Sequence, residues 1–303
     1  MFNYLLYFVC LILSVACVKK PEQLVGPTTG SLNIASDESI RYIVEQEENI
    51  FERSYKYAKL NISYHPEYDV FNKFLADSVK AIMTTRALTE EEKEFFSKKQ
   101  LHPRQYAFAT SAIAFVTNKN PADTAYTYEE MIAFFKDGSK GKVFVIENAK
   151  SGISNEILRL IDTTALPAHF YALNSRKEVI DYILTHGNAI GIVDWSDISD
   201  SDNMIAKEVL NTIELLGVSR PLDSIQFGFL KPYQYNLQDY KYPFTRDLYF
   251  ISSTGMNDVG TGFAFFISGE IGQKIILKSG LLPKFQSERV LEIRNSSDIK
   301  VIK

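Results

Sequence analysis

The sequence predicts an α/β fold with largely parallel sheets. Three observations predict it. Short apolar runs of β-forming residues alternate throughout with segments whose apolar residues recur at helical spacing. The chain has 303 residues, 46% hydrophobic and 23% charged, which is enough for a large core and for two domains. Three strand-like runs, ending at Ala35, Met83 and Ile146, each lead through a short turn with hydroxyl residues into a helix. In open α/β sheets ligands sit at the carboxyl ends of strands, so these three loops predict one shared site.

Taken in order, residues 18–29 (VKKPEQLVGPTT) are polar with two prolines and a glycine, and predict a flexible tether. Residues 31–35 alternate as a strand. Ser36-Asp37-Glu38-Ser39 then offers caps for a helix carrying Ile40, Ile43, Val44, Ile50 and Phe51. Strands are expected at 60–64 and 79–83, with a helix over 67–77 between them. Thr89 and three glutamates open a helix over 89–98. A long β run follows over 106–118, interrupted at Thr110-Ser111, then a turn at 121–127 and an amphipathic helix over 128–135. Further helices are expected near Asn155 and over 175–185, and a buried strand over 188–193. The acidic, serine-rich stretch 194–203 predicts a surface loop, 209–218 a β segment, and 232–243 a long irregular connection. A strand at 248–252 and one helix over 261–277, stopped at Gly280, complete the domain.

Thirty-three basic and 37 acidic residues leave a net charge of −4, with no basic stripe, which excludes nucleic acid as an expected partner. Both cysteines, Cys10 and Cys17, lie near the N-terminus, so neither a disulfide core nor a cysteine-ligated metal is expected. Residues 1–16 are apolar and uncharged, short for a membrane span, and fit a signal peptide. Leu13-Ser14-Val15-Ala16-Cys17 resembles the lipobox of bacterial lipoproteins, which implies cleavage before Cys17 and lipidation of its thiol. The basic residues usual at the start of such a signal are missing, and an uncleaved apolar anchor is the alternative. Either way the folded part is expected outside the cytoplasm, tethered to a membrane.

The stretch 143–159 (VFVIENAKSGISNEILR) carries the sharpest signal. A strand, a small-residue turn and a helix start make an oxyanion receptor, because the first helical turn has free N–H groups and the positive end of the dipole. Gly152 lets backbone approach a ligand, and Ser151 and Ser154 add hydroxyls. The same residues also satisfy a plain turn at Gly152 and an N-cap at Ser154.

Seven segments occur in an order that resembles the phosphate-binding protein family of ABC transporters, with the class II periplasmic binding protein fold. They are LNIASDESI, IMTTRALTEEE, IAFVTNKNPADTAYTYEEMIAFF, SGISN, NAIGIVDWSDIS, YPFTRDLYFIS and GFAFFISGEIGQKIILKSGLLP. The resemblance covers most of residues 31–283. It implies two lobes, each with a mostly parallel sheet, joined by a two-strand hinge: residues 31–111 with 246–303, and residues 112–245. It implies an anion site at Ser36, Glu38 and Ser39, at Thr84, Thr85 and Arg86, and at Ser151, Gly152, Ile153 and Ser154. It also implies phosphate or a related anion as ligand, an ABC permease as partner, a monomeric state, and no cofactor, metal or catalytic group.

Two departures bear on the ligand. Ile153 stands where the family has a threonine, and Glu147 where it often has an arginine. A carboxylate about 4 Å from a phosphate oxygen repels it by about 4 kcal/mol at an effective dielectric near 20. Three alternatives stay open: neighbouring donors offset the repulsion, Glu147 points away, or Glu147 is protonated or takes a proton from a monobasic phosphate. Arg86 is then the expected cation of the site, with a salt bridge as its alternative role, and Arg246 is expected to be structural. A second function class stays open: an envelope binding or sensor module on the same fold with an altered or lost ligand. An enzyme has little support, since no nucleophile is paired with a base. The four scattered histidines lack metal-ligand spacing, and Asp194, Asp197, Asp200 and Asp202 do not follow a calcium loop. Trp195 and the tyrosines of 233–249 are expected to serve packing.

Overall fold

A computed structural model describes residues 25–138 and 141–285. The expected signal peptide, the expected lipidation at Cys17 and most of the expected tether fall outside the described residues. Strands β1 (Thr29–Asp37), β2 (Tyr57–His65) and β3 (Ala81–Thr84) alternate with helices α1 (Arg41–Ser54), α2 (Glu67–Leu75) and α3 (Glu90–Lys98). The long β4 (Arg104–Asn118) leads to β5 (Ala125–Tyr126), α4 (Tyr128–Asp137), β6 (Val143–Glu147) and α5 (Gly152–Ile161). Then come β7 (Phe170–Leu173), α6 (Arg176–Thr185), β8 (Ala189–Asp194), α7 (Met204–Thr212), β9 (Ile213–Leu215) and β10 (Gly217–Ser219). Short α8 (Ser224–Phe227), β11 (Phe229–Leu230) and α9 (Gln234–Leu237) precede β12 (Thr245–Ser252), α10 (Val259–Ser268), α11 (Glu270–Lys278) and β13 (Leu282–Pro283).

Among the described residues, ten strands form one mixed sheet in the order β2-β1-β3-β12-β4-β8-β6-β7, with β9 and β13 added along β4. The parallel pairing expected from alternation holds in two outer triplets, β2-β1-β3 and β8-β6-β7. Between them β12 and β4 run antiparallel to their neighbours. The partner of β4 changes along its length. Arg104 to Ala112 pair with β12, and Ile113 to Asn118 with β8 and β9. The chain thus leaves the first half of the sheet along β4 and returns to it through β12, so the two lobes share a two-strand hinge. Tyr242 fixes the return, its hydroxyl donating to the Ile113 carbonyl at 2.9 Å.

Both faces of the first half are covered. Ile34 packs into the main core cluster, whereas its neighbour Ala35 joins a second cluster with Val70, Phe74 and Phe96 of α2 and α3. Where both faces of a strand are covered the apolar run is continuous, as Ala81, Ile82 and Met83 of β3 show. On the opposite side Phe51 of α1 meets Phe263 and Phe266 of α10 edge-on, at 5.2 and 5.4 Å.

Four expectations are corrected. The β4 run is not interrupted, because Thr110 donates to Asp247 and Ser111 to Asp194, both at 2.8 Å, so buried hydroxyls are satisfied within the strand. The stretch 194–203 is not a solvated loop: Asp194, Trp195, Ser196, Ile198 and Asp200 are buried around a 3₁₀ turn. Residues 209–212 are helical, in α7, because Asn203 caps that helix by accepting from the amides of Ile205 and Ala206. The helix over 261–277 is two helices, broken at Gly269, where a Cβ would lie 2.9 Å from the Phe265 carbonyl oxygen. Strand β7 had no expectation at all.

Pro27 lies against α10 at Gly262, where an added Cβ would fall 1.8 Å from the Pro27 carbonyl oxygen. Gly262→Ala is therefore expected to displace the entry of the chain into β1 and to destabilise by about 1–3 kcal/mol or more, read as a lowered melting temperature.

Candidate functional site

The three predicted loops do meet. After β1, Asp37 Oδ1 accepts from the Ser39 amide at 2.9 Å and starts a 3₁₀ turn. After β3 come Thr84 and Thr85, both buried. After β6, Ser151 caps α5, its Oγ accepting from the Ser154 amide at 3.2 Å. The helix begins at Gly152 rather than near Asn155, and Ser151 rather than Ser154 is its N-cap. At Gly152 a Cβ would lie 2.5 Å from Thr85 Oγ1 and 2.7 Å from Asp37 Oδ2. Only glycine lets the start of α5 close on the other two strand ends.

Some predicted donors are spent on the backbone. Ser154 donates to the Asn148 carbonyl at 2.8 Å and Ser36 to the Asp37 carbonyl at 3.2 Å. Ile153 is buried in the core. Half-buried Glu38 accepts from Asn148 at 3.3 Å. Arg86 holds Glu92 with two bonds of 2.8 Å and lies over the Phe71 ring at 3.5 Å, so its fork is engaged by a salt bridge. Its Nε is 3.7 Å from Glu67 Oε1.

The buried cation is Arg246 of β12, 8% exposed. Its Nε donates to Asp194 Oδ2 at 2.8 Å, and Nη2 pairs with the same oxygen. Nη1 donates to Thr85 and Nη2 to Ser39, each at 3.2 Å. Asp194 also accepts from Ser111 and from the Ser196 amide, both at 2.8 Å. Arg246 is structural, as expected, but its remaining donors reach both hydroxyl loops of the site.

Glu67, the first residue of α2, was not anticipated. Its carboxylate accepts from Thr85 at 2.7 Å, Thr84 at 3.2 Å and Asn155 at 3.0 Å. The signal was available: β2, Pro66 and α2 repeat the strand–turn–helix pattern of the other loops. A small cavity of about 120 Å³ lies among Glu67, Thr85, Gly152, Asn155 and Arg246. Glu147 lines a different cleft, of about 510 Å³, with Glu38, Arg41 and Arg176. Burial, and then the charge of Glu38, raises its carboxyl pKa, while Arg176 opposes the shift.

Asp37 is fully buried and its Oδ2 has no hydrogen-bond partner among the described residues. Burial first, then the charge of Glu67, pushes its pKa up to about 7, against the pull of Arg246.

Buried hydroxyls, a helix start and a guanidinium thus gather at the strand ends between two sheet halves. A model of the PBP superfamily domain matches residues 21–270. The chain belongs to the PBP superfamily. Its solved structural neighbours include a phosphate ABC transporter substrate-binding protein with bound phosphate from Clostridium perfringens. That structure has a TM-score of 0.67 and 18% identity, over 84% of this chain and 99% of the other. An ABC-type phosphate transport receptor from Vibrio cholerae has a TM-score of 0.65 and 14% identity, over 84% and 100%. PstS from Borrelia burgdorferi has a TM-score of 0.54 and 18% identity, over 85% and 99%. At these identities the likeness establishes the fold. No curated protein matches the sequence.

Two outcomes follow from these groups. The ordinary pKa of Asp37 is 3.8 and its folded value about 7, so the folded protein binds this proton more tightly than the unfolded chain. The stability it contributes is complete below pH 3.8 and is lost as pH rises through 7. Asp37→Asn is expected to flatten the fall in melting temperature between about pH 4 and about pH 7, compared with wild type. Arg246→Met leaves Asp194 buried without its counter-charge and is expected to cost about 3–5 kcal/mol, measured by urea unfolding.

Proposed function

We propose that this chain is a lipid-anchored, extracytoplasmic solute-binding protein that captures a small oxyanion, phosphate first among candidates, between two lobes for an ABC importer. The observation that carries the proposal is the convergence on one point of Ser39, Thr84, Thr85 and the Gly152 end of α5, backed by the buried guanidinium of Arg246. Hydroxyls, a helix start and a guanidinium are the donors that an oxyanion needs. The resemblance of the seven sequence segments, and the phosphate-binding neighbours of the same fold, point the same way. We assign residues 31–111 and 246–303 to one lobe and 112–245 to the other, which agrees with the change of β4 partner at Ala112 and Ile113. Lobe closure would then signal to the permease. The anchor is assigned to Cys17 from the lipobox-like sequence, and a tether keeps such a receptor beside its transporter.

One observation favours a second function class, a non-transport envelope module with an altered ligand. The hydroxyls of Thr84 and Thr85 already bind the carboxylate of Glu67, and Asp37 stands beside it. Isothermal titration of the purified chain with phosphate and then sulfate tests the choice, after unfolding and refolding to strip carried-over ligand. Saturable heat that disappears in Thr85→Val is the expected result. No heat and no thermal shift with either anion refutes the oxyanion assignment and leaves the second class in front.

A further inference from the structure

Glu67 is only 1% exposed. A buried carboxylate is costly unless donors surround it. The donors around Glu67 are those the oxyanion site would offer a ligand. Oε2 accepts from Thr85 at 2.7 Å and Thr84 at 3.2 Å, at the end of β3 in the first half of the sheet. Oε1 accepts from Asn155 at 3.0 Å, in the first turn of α5 on the second half. The Gly152 Cβ position is 3.0 Å from Oε2, so the carboxylate abuts the start of α5. Arg246 reaches it through one hydroxyl: Nη1 donates to Thr85 Oγ1, and that hydroxyl donates to Glu67. One carboxylate therefore binds donors from both sides of the cleft, as a bound anion would.

We infer that Glu67 is a tethered anion that fills the oxyanion seat, and so determines both which ligand enters and when the lobes close. This rests on assigning the seat to oxyanions. A free anion must displace Glu67 from Thr84, Thr85 and Asn155 before it gains their hydrogen bonds. A divalent anion is disfavoured further, since it would meet the charge of Glu67 and the unpartnered Oδ2 of Asp37. Closure needs no external ligand, because the bond from Asn155 to Glu67 already crosses between the halves.

The test uses the purified full chain, wild type and Glu67→Gln, which keeps shape but removes charge. Phosphate and sulfate binding are read by titration calorimetry, and the unliganded radius of gyration by small-angle scattering. The expected result is phosphate affinity at least tenfold higher in Glu67→Gln, with a larger radius before ligand is added. Equal binding and equal radius in the two proteins overturn the tethered anion and leave the oxyanion assignment standing. A larger radius in Glu67→Gln with no binding of either anion supports the tethered anion and overturns the oxyanion assignment. Neither binding nor a change in radius overturns both. Asn155→Ala removes only the bond that Glu67 accepts from the second half, and should shift the radius in the same direction by a smaller amount. It stands in for Glu67→Gln should that variant fail to fold.

Discussion

The junction of the two halves depends on the buried ion pair of Arg246 and Asp194. Asp194 ends β8 and also anchors Ser111 of β4 and the amide of Ser196. Arg246 lies on β12 and extends to Ser39 and Thr85, at the ends of β1 and β3. One pair thus sets the relative position of three central strands and two loops. Such a pair is a poor source of net stability, since desolvation offsets its attraction, but losing one member strands the other. Its value here is positional. The same guanidinium is drawn toward three carboxylates, Asp194, Asp37 and Glu67. It is bonded directly to the first alone. Asp37, with one oxygen unpartnered, is left to hold a proton near neutral pH.

Much of the fold was legible in the sequence because its signals are local. Each strand–turn–helix unit carries its own apolar period and cap, so β1, β3, β6 and their loops were placed from a dozen residues each. What failed depended on distant partners. The aspartates of 194–200 read as solvated, since composition cannot show that an arginine some fifty positions later buries one of them. Arg86 was expected as the cation of the site with a salt bridge as its alternative, and the salt bridge is what forms: Glu92, six residues on, holds it while also closing the capping box of α3. Glu67 entered only as the first residue of the helix expected over 67–77. That role is real, and it concealed the second one, which needs α5 from the other half. The error at α7 is different in kind. The apolar run of Val209, Leu210 and Ile213 suits either period, and the Asn203 cap decides for helix.

Glu147 illustrates why a family position is not a location. Its family position put it beside the anion with its orientation left open; it lines the larger cleft beside Arg176, and the carboxylates nearest Gly152 are Asp37 and Glu67. The acidic character foreseen at the site is present, but other residues supply it.

The strand order has a consequence for how the chain assembles during synthesis. In the second half of the ten-stranded sheet, the latter part of β4 and strands β6, β7, β8 and β9 lie in one unbroken stretch ending at Leu215. The first half is different: β12, which starts 141 residues after the start of β4, must slot between β3 and β4. Until Ser252 has emerged, β3 exposes an unpaired edge and β4 lacks the partner for its first nine residues. The half begun first is therefore finished last, and the interval before β12 arrives is when the nascent chain carries its open sheet edges.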